Sequence, residues 1–158
     1  MELTEVMSEP EAGERSAGVL SGLEVIRSFM DRGPTAVGVS GLLGMRIVDV
    51  EEGMVRFALE TRPDFGNPQG TLHGGITATL LDSAMACAVH SSLPPGAVST
   101  TVDLSVSYLR AAPLDGRTLV AEGRVLHLGG RLATAEGRVT DDTGRLYATG
   151  TTSCMVFR

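Results

Sequence analysis

Lysine and tryptophan are both missing from this sequence: all 13 basic residues are arginine, and aromatics make up only 4%. Without lysine there can be no Schiff base, no lysine-bound pyridoxal and no phosphate loop ending in lysine. Arginine is left as the only strong cation for an anionic ligand, and its planar fork suits phosphate. With so few aromatics, stacking platforms for nucleic-acid bases are not expected. The net charge of −6, with no basic run, argues against wrapping nucleic acid. Only two cysteines occur, Cys87 and Cys154, and there is no Cys-x-x-Cys. A disulfide framework is not indicated, and a reduced cytoplasm fits best. The three histidines, His73, His90 and His127, form no helical His-x-x-x-His pair, so neither metal nor cofactor is expected. No continuous apolar run is long enough to span a membrane. The first residues carry Glu2, Glu5, Glu9, Glu11 and Glu14, which no secretory signal would.

What is present is the composition of one ordinary domain: 158 residues, 42% apolar and 20% charged. Residues 1–18 read as a flexible acidic tail and 19–158 as a single domain. Leu20, Leu23, Ile26 and Met30 recur at helical steps, predicting a short amphipathic helix over 19–32 that Gly33-Pro34 stops. Residues 44–61 read as two strands around a turn at Glu51-Glu52-Gly53. Residues 62–73 are punctuated as loop, and 74–91 as a long helix that is apolar nearly all round and therefore buried on more than one side. Residues 98–108 alternate with a period of two: Val102, Leu104, Val106 and Tyr108 are set against Asp103, Ser105 and Ser107. Strands follow at 118–128, 131–140 and 146–157, with a hairpin turn at Gly129-Gly130. The pentapeptide AEGRV at 121–125 and again at 135–139 reads as chance, since two copies make no repeat array. Strands in runs around one long helix predict an α+β fold, a curved antiparallel sheet wrapping the central helix.

The chemistry concentrates at Asn67-Pro-Gln-Gly-Thr-Leu-His73-Gly74-Gly75 and the helix that follows. Asp82 is the only charged residue between His73 and His90. A lone carboxylate on an apolar helix is either satisfied by a Ser or Arg partner, or is a general base or nucleophile. Gly74 and Gly75 either relieve crowding at the loop-to-helix junction or let a ligand carbonyl approach the free N–H groups there. An oxyanion would be stabilised at that end of the helix dipole. Gly74 and Asp82 stand roughly 12 Å apart along the helix axis. One chain cannot bring both to one carbonyl. If both act, two antiparallel helices from two subunits must share the site.

The stretch from Asn67 through Asp82 resembles the hotdog-fold acyl-CoA thioesterases, nearest the PaaI-like (phenylacetic acid degradation) and 4-hydroxybenzoyl-CoA branch. The likeness rests on Asn67, Gly70, His73-Gly74-Gly75 and Asp82, and extends over about 35–157 through VSTTVDLSVSYLRAAP and GGRLATAEG. It implies Asp82 as the base or nucleophile, the Gly74 N–H on the thioester carbonyl, and Asn67 on that carbonyl or on the water. It implies His73 as an orienting residue and Thr101 as a hydroxyl near the water, with Thr100 as its fallback. Gly75, Tyr108, Arg110, Gly130 and Arg131 would contact the CoA moiety. Leu42, Leu43, Met45 and Met85 would line the acyl group. The implied assembly is a homo-oligomer, with a dimer obligatory for the site and a tetramer expected.

Three functions compete on these residues. Thioester hydrolysis uses both Asp82 and the glycine amide. A non-catalytic acyl-CoA sensor would keep the fold without the chemistry. A dehydratase would need a His and an acid facing one substrate carbon. Cys87 reads as a small packing residue rather than a nucleophile.

Overall fold

A computed structural model describes residues 19–32 and 38–158. The predicted acidic tail and the Gly33-Pro34 stop lie outside the described residues. Helix α1 spans Gly22–Arg32 and α2 Gly38–Leu43. Strands β1 (Arg46–Glu51) and β2 (Met54–Glu60) precede the long helix α3 (Gly74–Ser91). Strands β3 (Val98–Tyr108), β4 (Thr118–Leu128), β5 (Leu132–Asp141) and β6 (Leu146–Phe157) complete the chain. All six strands join one antiparallel sheet in the order β1-β2-β4-β5-β6-β3. The α+β architecture is as the sequence pattern predicts, and the predicted elements agree in their boundaries to within two or three residues; α2 is a helix that the spacing does not predict.

The sheet wraps α3, as the apolar character of that helix requires. Leu80, Leu81, Ala84, Met85, Ala88 and Val89 are fully buried against it. Facing them are alternate residues of the strands, among them Val55, Leu59, Leu119, Ala121, Ala135 and Val139. Each large aliphatic side chain in such a core contributes about 1.5–3 kcal/mol by leaving water. Helix α1 begins where α3 ends: Gly22 N–H donates to the Leu93 carbonyl at 3.0 Å.

The helix lies close to the sheet because three glycines meet it there. Gly137 pairs with both Gly123 and Gly150, so the three form a row across β4, β5 and β6. A Cβ on Gly123 would stand 2.4 Å from the Ala84 backbone carbonyl. One on Gly137 would stand 3.0 Å from Leu81 and Met85 side-chain atoms. The two AEGRV segments lie opposite each other, Ala121 against Val139 and Val125 against Ala135, centred on Gly123 and Gly137. The repeat places a charge pair and a glycine at the same depth on both strands. Its two glycines take part in the contact between helix and sheet.

The strict alternation predicted for β3 is broken. A bulge between Thr101 and Asp103 adds Val102 to the strand, and Val102 is 53% exposed. Leu104 and Val106 pack against the core, while Val102 does not share their face.

On the outer face of the sheet Glu122 is buried beneath Arg56, Arg124 and Arg138, which reach it at 2.6–3.1 Å. Burial pushes its carboxyl up, but hydrogen bonds from Arg124 and Arg56 and the neighbouring charges outweigh it. The net result lies at about 2.

Candidate active site

The loop before α3 is built by Asn67. Its backbone N–H donates to the Thr71 carbonyl at 2.8 Å, and its Oδ1 accepts the N–H groups of Gln69 and Thr71 at 3.0 and 3.1 Å. Its Nδ2 donates to Thr71 Oγ1 at 3.0 Å. Asn67 thus spends its side chain on closing the loop, an Asx turn completed by Gly70 at φ +75°. Leu72 N–H then bonds the Ala112 carbonyl and His73 N–H the Phe65 carbonyl, each at 2.8 Å.

His73 is the N-cap of α3. Its Nδ1 accepts the Gly75 N–H at 2.9 Å, which places the ring proton on Nε2. The His73 carbonyl accepts Ile76 N–H at 3.0 Å and Thr77 N–H at 3.4 Å. The His73 carbonyl is therefore turned into the helix. The Gly74 N–H, trans to it in the same peptide plane, must point out of the helix end. That N–H has no hydrogen-bond partner among the described residues. Tyr108 lies over Gly74, its hydroxyl donating to the Gly74 carbonyl at 2.9 Å. Rings crowd Gly74 and Gly75, and one amide is left without a partner among the described residues.

Gly74 opens onto a cavity of about 430 Å³ lined by Asn67, Thr77, Tyr108, Arg110 and Tyr147 among others. Arg110 is its cation, and its Nε donates to the Leu146 carbonyl at 3.4 Å. Tyr147 was not singled out by sequence. Its carbonyl accepts the N–H groups of Leu109 and Arg110 at 2.8 and 3.1 Å, fixing the chain that walls the cavity. Its hydroxyl is held in turn by Arg117 at 2.6 Å and donates to Asp141 at 2.9 Å. A single tyrosine at the start of a strand carries no sequence signal for this role.

Asp82 lies half-buried two turns further along α3. Its partner is neither Ser nor Arg: Thr101 Oγ1 donates to Asp82 Oδ1 at 2.8 Å. Thr100 is exposed, on the opposite side of β3. Thr101 stands opposite Cys154, and Cys154 opposite Ala133, so Asp82 sits toward the same end of the sheet as the Gly129–Arg131 hairpin. Tyr108 is seven residues beyond Thr101, about 23 Å along an extended strand. The nominated residues thus fall into two groups in one chain. Asn67, His73, Gly74, Gly75, Tyr108 and Arg110 are at one end; Asp82, Thr101, Gly130 and Arg131 are toward the other.

Cys87 lies close enough to Asp82 to feel its charge. Burial first, and the carboxylate second, push its thiol up to about 12. It stays protonated and is not a nucleophile. Met45 and Met85 are sealed in the core and Leu42 is 73% exposed. None of the residues expected to line the acyl group borders the cavity at Gly74.

One long helix seated in a six-stranded antiparallel sheet, with a free amide at its first turn and a carboxylate further along, defines a hotdog-fold protein. The model of the Thioesterase superfamily matches residues 69–148, and the chain belongs to that family. A Halobacterium salinarum protein, whose given name proposes an esterase, is 38% identical over 109 residues, which cover 66% of this chain and 68% of that one. Human acyl-coenzyme A thioesterase 13 is 34% identical over 80 residues, 51% of this chain and 56% of that protein. The chain thus spans little more than half the length of that relative. Among solved structures, a phenylacetic acid degradation-related protein of Ralstonia eutropha JMP134 superposes with a TM-score of 0.71. It is 34% identical and covers 81% of this chain and 97% of its own. The PaaI protein of E. coli reaches 0.76 at 20% identity, covering 87% and 97%, and shares the fold.

Proposed function

We propose that this chain hydrolyses an acyl-CoA thioester to the free acid and CoA, at a site shared between two subunits. The observation that carries the reading is the unpartnered Gly74 N–H at the mouth of a cavity, with Asp82 held apart from it on the same helix. The thioester carbonyl oxygen accepts the Gly74 N–H of one subunit, where the helix dipole favours the charge that develops. Asp82 of the other subunit either takes a proton from the attacking water or attacks the carbonyl itself. The tetrahedral intermediate then collapses, the C–S bond breaks, and CoA leaves as the thiol after gaining a proton; where Asp82 itself attacked, water then hydrolyses the acyl–Asp82 anhydride, which frees the acid and restores the carboxylate. Asn67 and His73 shape the loop that presents the amide. Arg110 and Arg131, together with Gly75 and Gly130, receive the CoA moiety from the two subunits, arginine being suited to its phosphates.

A second copy has a natural place. Strand β3 is an edge of the sheet, with one side of its backbone unpaired. Antiparallel pairing of two β3 strands brings the Thr101 end of one toward the Tyr108 end of the other. The carboxylate of one subunit then approaches the amide of its partner. A dimer completes the site, and a tetramer is the assembly the family resemblance implies. No helix among the described residues is long and apolar enough to cross a membrane. The free thiols of Cys87 and Cys154 suit the cytoplasm.

The test is thiol release from phenylacetyl-, hydroxybenzoyl-, hexanoyl- and palmitoyl-CoA by wild type and Asp82→Ala. Release that disappears in the variant supports hydrolysis. Binding without release in the wild type would move the protein to the sensor reading, and release retained by Asp82→Ala would remove the role given to that residue.

A further inference from the structure

We infer that Tyr108 is a positioning residue for the Gly74 amide, acting on the reaction through the first turn of α3 rather than as a contact for CoA. The inference rests on the role proposed above for Gly74.

The reasoning begins with the cost of two adjacent glycines. Such a pair opens a helix with the greatest backbone freedom any dipeptide has. An oxyanion donor needs the opposite, a direction set before the substrate arrives. Two rings supply that constraint. The His73 imidazole takes the Gly75 N–H at 2.9 Å, and a Cβ on Gly75 would stand 3.0 Å from His73 Nδ1. The Tyr108 ring closes on the other glycine: a Cβ on Gly74 would stand 3.0, 3.2 and 3.3 Å from its Cζ, hydroxyl oxygen and Cε1. The phenol donates to the Gly74 carbonyl at 2.9 Å. Gly74 is thus held on both sides. The His73 carbonyl, bonded within the helix, fixes the peptide plane that carries the Gly74 N–H. The Tyr108 hydroxyl fixes the plane that follows.

The hydroxyl's proton is committed to a backbone carbonyl, and no proton transfer is assigned to the phenol. One strand then organises both halves of the site. Strand β3 places the Thr101 hydroxyl on Asp82 near one end and the Tyr108 hydroxyl on Gly74 at the other. Pairing of two β3 edges would align both devices in a single step.

The test is Tyr108→Phe, which keeps the ring and removes only the hydroxyl. Tyr108 is 55% exposed, so the variant is expected to fold with an unchanged melting temperature. Three quantities are measured: kcat for the best acyl-CoA of the panel, the shape of its pH profile, and Kd for a non-hydrolysable thioether analogue of that ester. The thioether has no carbonyl and is blind to the amide. A fall in kcat of about tenfold, with the pH profile and the thioether Kd unchanged, is the expected result. A weaker thioether Kd with kcat unchanged would make Tyr108 a CoA contact and overturn the inference. Wild-type values throughout would overturn it as well, leaving the thioesterase reading intact. If the wild type releases no thiol from any ester, that reading and this inference fall together.

Discussion

Thr101 reaches Asp82 at 2.8 Å because β3 carries one residue more than its partner strand. The bulge at Val102 lets Thr101 and Leu104 both face the helix, three residues apart, where an unbroken strand would put them on opposite faces. A hydroxyl at this point satisfies a carboxylate that would otherwise be costly on an apolar helix.

Thr101→Val removes the hydrogen bond and keeps the shape. Turnover is expected to fall by about 10- to 100-fold as the carboxylate loses its orientation, with Thr101→Ser recovering most of it. Thiol release measured for both variants beside wild type checks this.

Gly74→Ala keeps the amide but drives a methyl group into the Tyr108 ring, 3.0 Å away. The ring tip must give way by a few tenths of an ångström, which disturbs the hold of its hydroxyl on the Gly74 carbonyl. The expected loss is about tenfold in kcat, as misplacement of the amide is felt in the rate. Stopped-flow or steady-state thiol release would show it, and an unchanged kcat would sink the role of this amide.

Gly123→Ala tests the seating of the helix. The methyl group would meet backbone atoms of Ala84 and Met85 at 2.4–2.6 Å, and backbone cannot step aside as a side-chain tip can. Destabilisation of about 2–4 kcal/mol is expected, against a near-neutral Gly130→Ala, where the space is open. Urea unfolding of the two variants measures the difference.

Glu122 makes stability depend on acid. Its folded value of about 2 lies below the ordinary glutamate value of 4.5, so the folded state holds its proton less tightly than the unfolded chain. The stabilisation is fully present above about pH 4.5 and is lost as pH falls through about 2. Glu122→Gln should flatten that part of the curve. Melting temperatures between pH 5 and 2 for both proteins test the sign, and parallel curves would refute it.

Cys87→Ala should leave turnover unchanged, since a thiol pushed up to about 12 contributes no thiolate near neutrality. Any loss greater than the small effect of repacking, measured on the same ester, would count against it.

Much of this was legible in the residues. Long periodic segments announced themselves: α3 begins at Gly74 and ends at Ser91 where the pattern and the flanking loop residues place it. His73 followed by two glycines marked the helix end, and a lone Asp82 marked the carboxylate. Other features were not legible. The part Asn67 plays in closing its own loop, through an Asx turn to Gln69 and Thr71, is not written in the residue types alone. Tyr147 owes its place in the cavity wall to partners distant in sequence, Arg117 and Asp141 among them.

Sequence by itself determined the class of fold, through apolar spacing of 2 and 3.6 residues, and it singled out Gly74 and Asp82 as candidates, through residue types rare in their surroundings. Those are local properties, written in neighbours along the chain. Tertiary structure alone decided which hydroxyl meets Asp82, which ring lies over Gly74, and that the two AEGRV segments face each other. Each depends on strand register, and register is set by the packing of whole faces against α3. One bulged residue at Val102 is enough to reverse which side chains meet.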